Sequence, residues 1–363
     1  MTTMTDAPDV LCERRGPLGL ITLNRPKALN ALTLDMVRVI DPALKEWAAD
    51  PTVKAVVIRG AGDRAFCAGG DVRALYEAGL AAREGRGSGG FTRDFFREEY
   101  SLNRRIKTFP KPYIALLDGF TMGGGVGLSV HGGYRIVTEK TVFSMPETGI
   151  GLFPDVGGTF FLPRCPGRIG EYLGLTGARL KAADALYAGV GTHHVPGAEL
   201  EGLLEDLSSA GWDGDAHAVA EAVIARHAAP AGDPPLGLQR AAIDRCFAGD
   251  RVEDILAALG AEGTDWATKT AADLRTLSPT SLKVTLEQVR RGRELSFDEA
   301  MALEYRLTQA ILARPDFYEG IRAVLIDKDR NPKWSPASLE AVGEAEIAAL
   351  FDPPQRPELV FVP

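Results

Sequence analysis

The feature that most constrains the fold is an alternation in the first 145 residues. Short apolar runs rich in β-branched side chains are each closed by a glycine-bearing loop and followed by a helical stretch. A run such as KAVVIRG (54–60) shows no polar alternation, so it reads as a strand buried on both faces, as in a parallel sheet covered from each side. PYIALL (112–117), YRIVT (134–138) and TVFSMPE (141–147) read as further strands. Residues 10–24 hold two apolar stretches broken by Gly16 and Pro17, a hairpin pattern. From Thr33 to Ala49, Leu34, Val37, Ile40, Leu44 and Trp47 recur at helical spacing; DVRALYEAG (71–79) starts a helix, and VGLSVHGG (126–133) reads as helical. AGDRAFCAGGD (61–71) and DGFTMGGG (118–125) read as loops, and REGRGSGG (83–90) as a mobile one. The repetition specifies an α/β core with functional loops at strand ends.

After about residue 165 the strand signals fade and alanine-, leucine- and arginine-rich periodic stretches take over. Ser278 with Pro279 marks one helix start, and Ser296 with Glu299 forms a capping box ahead of Ala300, Leu303, Leu307 and Ile311. We therefore expect an α/β core over residues 1–200 and a mainly helical region over 201–363 packing on it. The tail FDPPQRPELVFVP (351–363) has too many prolines for a helix and is expected to run extended.

Composition excludes several classes. No apolar run of the 363 residues approaches the roughly 20 needed to span a membrane. A net charge of −8 does not suit a nucleic-acid binder. Cys12, Cys67, Cys165 and Cys246 lack paired spacing, and the start MTTMTDAPDV resembles neither a secretory signal nor a transit peptide, so the expected compartment is the cytoplasm. The doublet His193–His194 has no third ligand at metal spacing and reads as a turn or surface pair; His131 reads as a helix-end histidine. No GxSxG elbow, phosphate-loop or dinucleotide fingerprint occurs, and no histidine is placed by motif to activate Cys67.

Two loops carry chemistry. MGGGVG (122–127) opens a helix with consecutive glycines, which suits either a tight, closely packed turn or backbone N–H groups turned toward an anion. FCAGGD (66–71) offers a second set of free N–H groups. An oxyanion hole needs two donors converging on one oxygen, and Gly70 and Gly124 are the natural candidates. Asp71 reads as a helix-start carboxylate. In MPETGIGLFPDVGG (145–158), Glu147 follows an apolar strand, and Asp155 lies beyond a turn shaped by glycine and proline, positioned either to return toward Glu147 or to cap the next helix.

FCAGGDVRAL, PYIALLDGFTMGGGVGL and FSMPETGIGLFPDVGG together resemble the crotonase, or enoyl-CoA hydratase/isomerase, superfamily. NRPKALNAL (24–32) is similar to that family's segment near the coenzyme A end of the ligand. FREEY (96–100), MGGGVGLSVHG, MPETGIGLFPDVGG and DFYEGIRAVLIDKDRNPKW (316–334) resemble its 3-hydroxyisobutyryl-CoA hydrolase branch, so the likeness spans nearly the whole chain. The resemblance implies a crotonase-like spiral of repeated ββα units with a C-terminal helical region. It also implies hydrolysis of a short 3-hydroxyacyl-CoA in valine breakdown, with no metal or redox cofactor. Family hydratases carry one catalytic glutamate three residues after the oxyanion-hole glycine and a second on the later strand. Here the first position is Gly127 and the second is Glu147, while the hydrolase branch implies Glu99 and Asp155 as further substrate-site acids. In this scheme Gly70 and Gly124 stabilise the oxyanion, Glu147 acts as base or nucleophile, and Asp155 and Glu99 orient water or hold the substrate hydroxyl. Crotonase-like chains are often trimers or dimers of trimers, which leaves a homo-oligomer open. Two rival readings remain: a hydratase or isomerase working with Glu147 alone, and a non-catalytic acyl-CoA-binding scaffold.

Overall fold

A computed structural model describes residues 7–353 and 358–361. The expected hairpin is Val10–Arg15 (β1) and Leu18–Leu23 (β2), paired antiparallel in the register Cys12↔Ile21. Thr33 caps the helix Leu34–Ala49 (α1) by accepting the Met36 N–H. Then follow Ala55–Gly60 (β3) and Ala65–Cys67 (β4), the helices Val72–Arg83 (α2) and Gly90–Lys107 (α3), and Tyr113–Leu117 (β5). Phe120–Met122 (β6), Gly124–Gly127 (α4), Tyr134–Val137 (β7) and Val142–Ser144 (β8) come next, and His193–His194 (β9) closes the series.

The chain divides into two compact units. The first comprises Met1–Gly70, Leu102–Phe143 and Leu180–Pro234. Its main sheet has the order β1-β2-β3-β5-β7-β9, parallel from β2 onward, as the doubly buried runs require. Leu20, Val57, Ile114 and Ile136 from the strands form one buried cluster with Leu203, Leu207, Val223 and Ile224 from the helices Leu200–Ser209 and Ala216–His227. Gly19 is obligatory where α1 crosses β2, because a Cβ there would stand 2.3 Å from the Trp47 ring.

A second sheet, β4-β6-β8, runs through the two segments expected to be loops. Each strand has three residues; β8 falls within the expected strand 141–147, but β4 and β6 are too short to show a period of two and pattern reading misses them. VGLSVHGG is helical only to Gly127. Beyond it the Ser129 hydroxyl takes the Gly125 carbonyl (2.8 Å) and the Tyr113 hydroxyl takes that of Leu128 (2.9 Å), so side chains satisfy groups a longer helix would have used. His131 accordingly sits in a buried turn rather than at a helix end. The histidine doublet is not a turn or surface pair: as β9 it extends the main sheet beside β7, half-buried, with Ile136 opposite His193.

The second unit comprises Asp71–Ser101, Ser144–Arg179 and Pro235–Pro363 and is mostly helical. Asp71 caps α2 through the Ala74 N–H (3.3 Å). Ser278 caps the helix Pro279–Arg291, and Ser296 with Glu299 closes the capping box of the helix Phe297–Ile311. The tail expected to run extended lies partly outside the described residues, at 354–357 and 362–363, as do the first six residues of the start segment. No described helix is long and apolar enough to cross a membrane.

Candidate active site

In the first unit the two glycine loops are in contact. The segment 24–32 pins the first of them: Asn30 Nδ2 donates to the carbonyls of Ala61 (3.0 Å) and Ala65 (2.8 Å), and the Leu32 N–H donates to the Gly69 carbonyl (2.9 Å) beside Gly70. Gly123 adopts φ 44°, a left-handed conformation that glycine tolerates, and its carbonyl accepts the N–H groups of Val126 and Gly127. Gly124 is thereby the first residue of α4, where a backbone N–H has no acceptor within the helix. A Cβ on Gly125 would come within 2.2 Å of the Cys67 carbonyl oxygen, which explains the third glycine: the loops carrying Gly70 and Gly124 touch through backbone. Gly125→Ala is expected to cost about 1–3 kcal/mol of stability and to lower thioester turnover at least roughly tenfold, read by thermal unfolding and thiol release. Unchanged turnover would show that this spacing does not matter to the reaction.

The second unit gathers acids. Glu147 opens a 3-10 turn, Glu147–Ile150, three residues beyond β8 rather than at a strand end. The turn is anchored by the Thr148 hydroxyl on the Leu175 carbonyl (3.1 Å). Asp155 precedes Val156 and Gly157, both left-handed (φ 50° and 91°), a conformation that costs a β-branched residue roughly 1–3 kcal/mol and needs outside support. Tyr100, on α3 next to Glu99, donates its hydroxyl to Asp155 Oδ2 (2.8 Å). Glu304, from the helix Phe297–Ile311, accepts the Gly157 N–H on one oxygen (2.7 Å) and the Thr159 N–H on the other (2.8 Å). Asp155 therefore does not cap the helix Gly158–Phe161 (α5) with its side chain; Glu304 does, from 147 residues beyond Gly157. Gln288 holds the same turn by donating to the Pro154 carbonyl and to the Thr159 hydroxyl (2.9 Å).

Glu99, Glu147, Asp155 and Glu304 are all at most 5% exposed, and among the described residues no ion pair reaches any of them. Glu171 in the same unit shows the alternative: equally buried, it is neutralised by Arg168 (2.7 Å) and Arg293 (2.6 Å). A buried carboxylate without a cation is costly, so four together make this cluster a candidate site.

Their proton affinities follow from that crowding. Burial, then the charges of Asp155, Glu304 and Glu147, push Glu99 far above the carboxylate range. Burial and Asp155 do the same to Glu147. Glu304 is raised to about 8 by burial and Asp155, restrained by its two backbone N–H partners. Asp155 rises least, to about 6, because burial is opposed by the Tyr100 hydroxyl and a backbone N–H. Asp155 is thus the member of the cluster that gives up its proton most readily, while burial and mutual repulsion hold Glu99, Glu147 and Glu304 toward the protonated form. Glu99 Oε1 and Glu147 Oε2 are buried without a hydrogen-bond partner, leaving both able to meet a ligand.

The structure thus brings Glu99, Glu147 and Asp155 together in one unit, and in the other it brings into contact the loops that carry Gly70 and Gly124. Sequence reasoning missed Glu304, Tyr100 and Gln288. Glu304 had a signal: it falls on the stripe Ala300, Leu303, Leu307, Ile311, where a carboxylate interrupts an apolar face. All four cysteines are free, and among the described residues no group of His, Cys, Asp and Glu is arranged to hold a metal ion.

A family model described as enoyl-CoA hydratase/isomerase matches residues 18–351. A zebrafish (Danio rerio) protein named 3-hydroxyisobutyryl-CoA hydrolase, mitochondrial, is 50% identical over 346 residues, covering 94% of this chain and 89% of its own. The human protein of that name is 47% identical over 352 residues, with 96% and 89% covered. Among solved structures, a carnitinyl-CoA dehydratase from Mycobacterium thermoresistibile superposes with TM-score 0.91 at 44% identity, covering 98% of this chain and 99% of that one. An enoyl-CoA hydratase from Rhodobacter sphaeroides 2.4.1 superposes with TM-score 0.87 at 46% identity, covering 98% and 100%.

Proposed function

Because the chain belongs to the enoyl-CoA hydratase/isomerase family, we propose that it works as that family's thioester hydrolases do, cleaving 3-hydroxyisobutyryl-CoA to the free 3-hydroxy acid and coenzyme A, a step of valine breakdown. The observation that carries this reading is the pairing of Glu147 with Asp155 in a cation-free buried cluster while Gly127 stands where a hydratase carries its first acid. Without that acid the water-addition machinery is incomplete, whereas a carbonyl needs only an activated oxygen and an oxyanion hole.

In this reading the N–H groups of Gly70 and Gly124 receive the negative charge that develops on the thioester oxygen, an effect worth several kcal/mol per well-placed donor. Glu147 has two routes. As nucleophile, its carboxylate forms the bond to the carbonyl carbon, the C–S bond breaks, the thiolate leaves, and water cleaves the resulting anhydride. As base, it takes a proton from the attacking water and returns it to the departing sulfur. Asp155 accepts the substrate's 3-hydroxyl. A proton donated to Asp155 also weakens the field that holds the proton on Glu147, so a hydroxylated acyl group assists in activating the base. Glu99 supplies a second contact to the hydroxyl from α3. Each step is a proton or acyl transfer that side chains and water can perform, so the reading requires no metal or redox cofactor.

The crystal structures that superpose well are of a dehydratase and a hydratase, which favours a second reading: water addition or double-bond migration by Glu147. One assay separates the two. Purified protein is given a panel of short acyl-CoA thioesters, with and without a 3-hydroxyl, and free thiol and enoyl absorbance are followed together. We expect thiol release, fastest with 3-hydroxyisobutyryl-CoA. A change in enoyl absorbance without thiol would establish the second reading, and neither signal would leave only acyl-CoA binding.

The cytoplasm expected from the cysteine spacing and the pattern of the start segment is not supported by the relatives. The vertebrate relatives are named as mitochondrial, and a reducing matrix keeps thiols free just as well. The compartment therefore follows from fractionation of the source cell rather than from thiol chemistry.

A further inference from the structure

We propose that Glu304 is a positioning residue for this reaction: its two carboxyl oxygens clamp the Gly157 and Thr159 N–H groups and so hold the left-handed turn that presents Asp155 to Glu147 and Glu99. The inference rests on the hydrolase reading but concerns a residue that the reading does not use. Three observations carry it. Both Glu304 oxygens are spent on one side of a single turn, at 2.7 and 2.8 Å, and the residue is fully buried. The turn needs holding, because Val156 and Gly157 are both left-handed and Asp155 is the residue immediately before them. Gln288 braces the opposite edge through Pro154 and Thr159, so the segment is clamped from two helices, which surface capping would not require.

Glu304 also interacts with the acids it positions. The titratable groups facing it and Asp155 are Glu99 and Tyr100 from α3 and Glu147 from the 3-10 turn; Gln288, from the helix Pro279–Arg291, is neutral. Arg97 on α3 donates to the Tyr305 hydroxyl (3.3 Å) and lies over its ring. With no cation among the described residues facing the cluster, ionisation of Glu304, at about 8, tightens the hold on the Glu147 proton. A base whose proton is held more tightly is ionised in a smaller fraction, and Brønsted behaviour returns only part of that loss. The Glu304 charge therefore displaces the ionisation of Glu147, and with it the rise of activity, toward higher pH.

The test is the pH profile of kcat/KM for 3-hydroxyisobutyryl-CoA in the wild-type protein and in Glu304→Gln, after subtraction of the uncatalysed rate. The wild type is expected to rise with pH as Glu147 ionises. The amide can accept only one of the two N–H groups, so Glu304→Gln should lower kcat at pH 7 about tenfold. It should also move the rise to lower pH, because a neutral amide no longer helps to hold the Glu147 proton. An unchanged kcat with an unshifted rise in Glu304→Gln would overturn the proposal and leave Glu304 a purely structural cap. If Glu304→Gln does not fold, Glu304→Asp decides: it keeps the charge but shortens the reach to both N–H groups, so an unchanged kcat would equally overturn the proposal. Failure of the hydrolase reading is distinguishable, because the wild type would then release no thiol at any pH.

Discussion

Glu147→Gln is expected to lower kcat for thioester hydrolysis about 10³-fold while moving KM by less than about threefold. Glutamine keeps the size of the side chain and its place in the 3-10 turn, which Thr148 and Leu175 hold independently, so the fold should survive. What disappears is the only function asked of the group in the transition state, donation of an electron pair to carbon or acceptance of a proton from water. Steady-state thiol release gives the two constants; an equal loss in kcat and in affinity would instead make Glu147 a binding residue. Multiple turnovers in oxygen-18 water separate the routes, since a nucleophilic carboxylate retains heavy oxygen in the protein and a general base does not.

Stability is expected to fall as pH rises from about 5 to about 9, opposite to the usual behaviour of a protein whose carboxylates are paired. Glu304 is raised from an ordinary 4.5 to about 8 and Asp155 from 3.8 to about 6, and both Glu99 and Glu147 are raised. The folded state therefore binds more protons than the unfolded chain across this range. Stability from such groups is fully present below their unfolded values and is lost as pH rises through the folded ones. Glu304 alone contributes on the order of several kcal/mol to the change. Groups of the other sign, such as Asp50, lowered to about 2 by Thr52 and Arg14, add stability that is already complete near pH 5 and does not mask the fall. The unfolding midpoint should drop by about 5 °C or more between pH 5.5 and 9, with a shallower slope in Glu304→Gln. A midpoint that is flat or rising over this interval would contradict four buried, cation-free carboxyls.

Much of the first unit was legible in the sequence because its signals are local. The unbroken run Ala55–Gly60 can only be a covered strand, Thr33 caps the helix it precedes, and Gly16–Pro17 turns the hairpin. Strand β8 was legible within the run 141–147, but β4 and β6 were not, because three residues carry no period and Ala65 finds its partner Phe120 far along the chain. Within the candidate site, Glu147 and Asp155 could be nominated because both lie on one short glycine- and proline-shaped stretch. Glu304 and Gln288 reach that stretch from 145 and 129 residues beyond Thr159, and nothing local to them names their partner.

By itself the sequence determined which residue types were available: glycines that let two backbone loops touch, an acid missing at Gly127, acids present at Glu99, Glu147 and Asp155, and a helical second half. Only the tertiary structure decided their charge states and which of them cooperate. A carboxyl group's proton affinity depends on the water and charge around it rather than on its neighbours in the chain. Burial without a cation shifts four ordinary acids toward the protonated form, and the Tyr100 hydroxyl on Asp155 keeps that acid the least shifted of them.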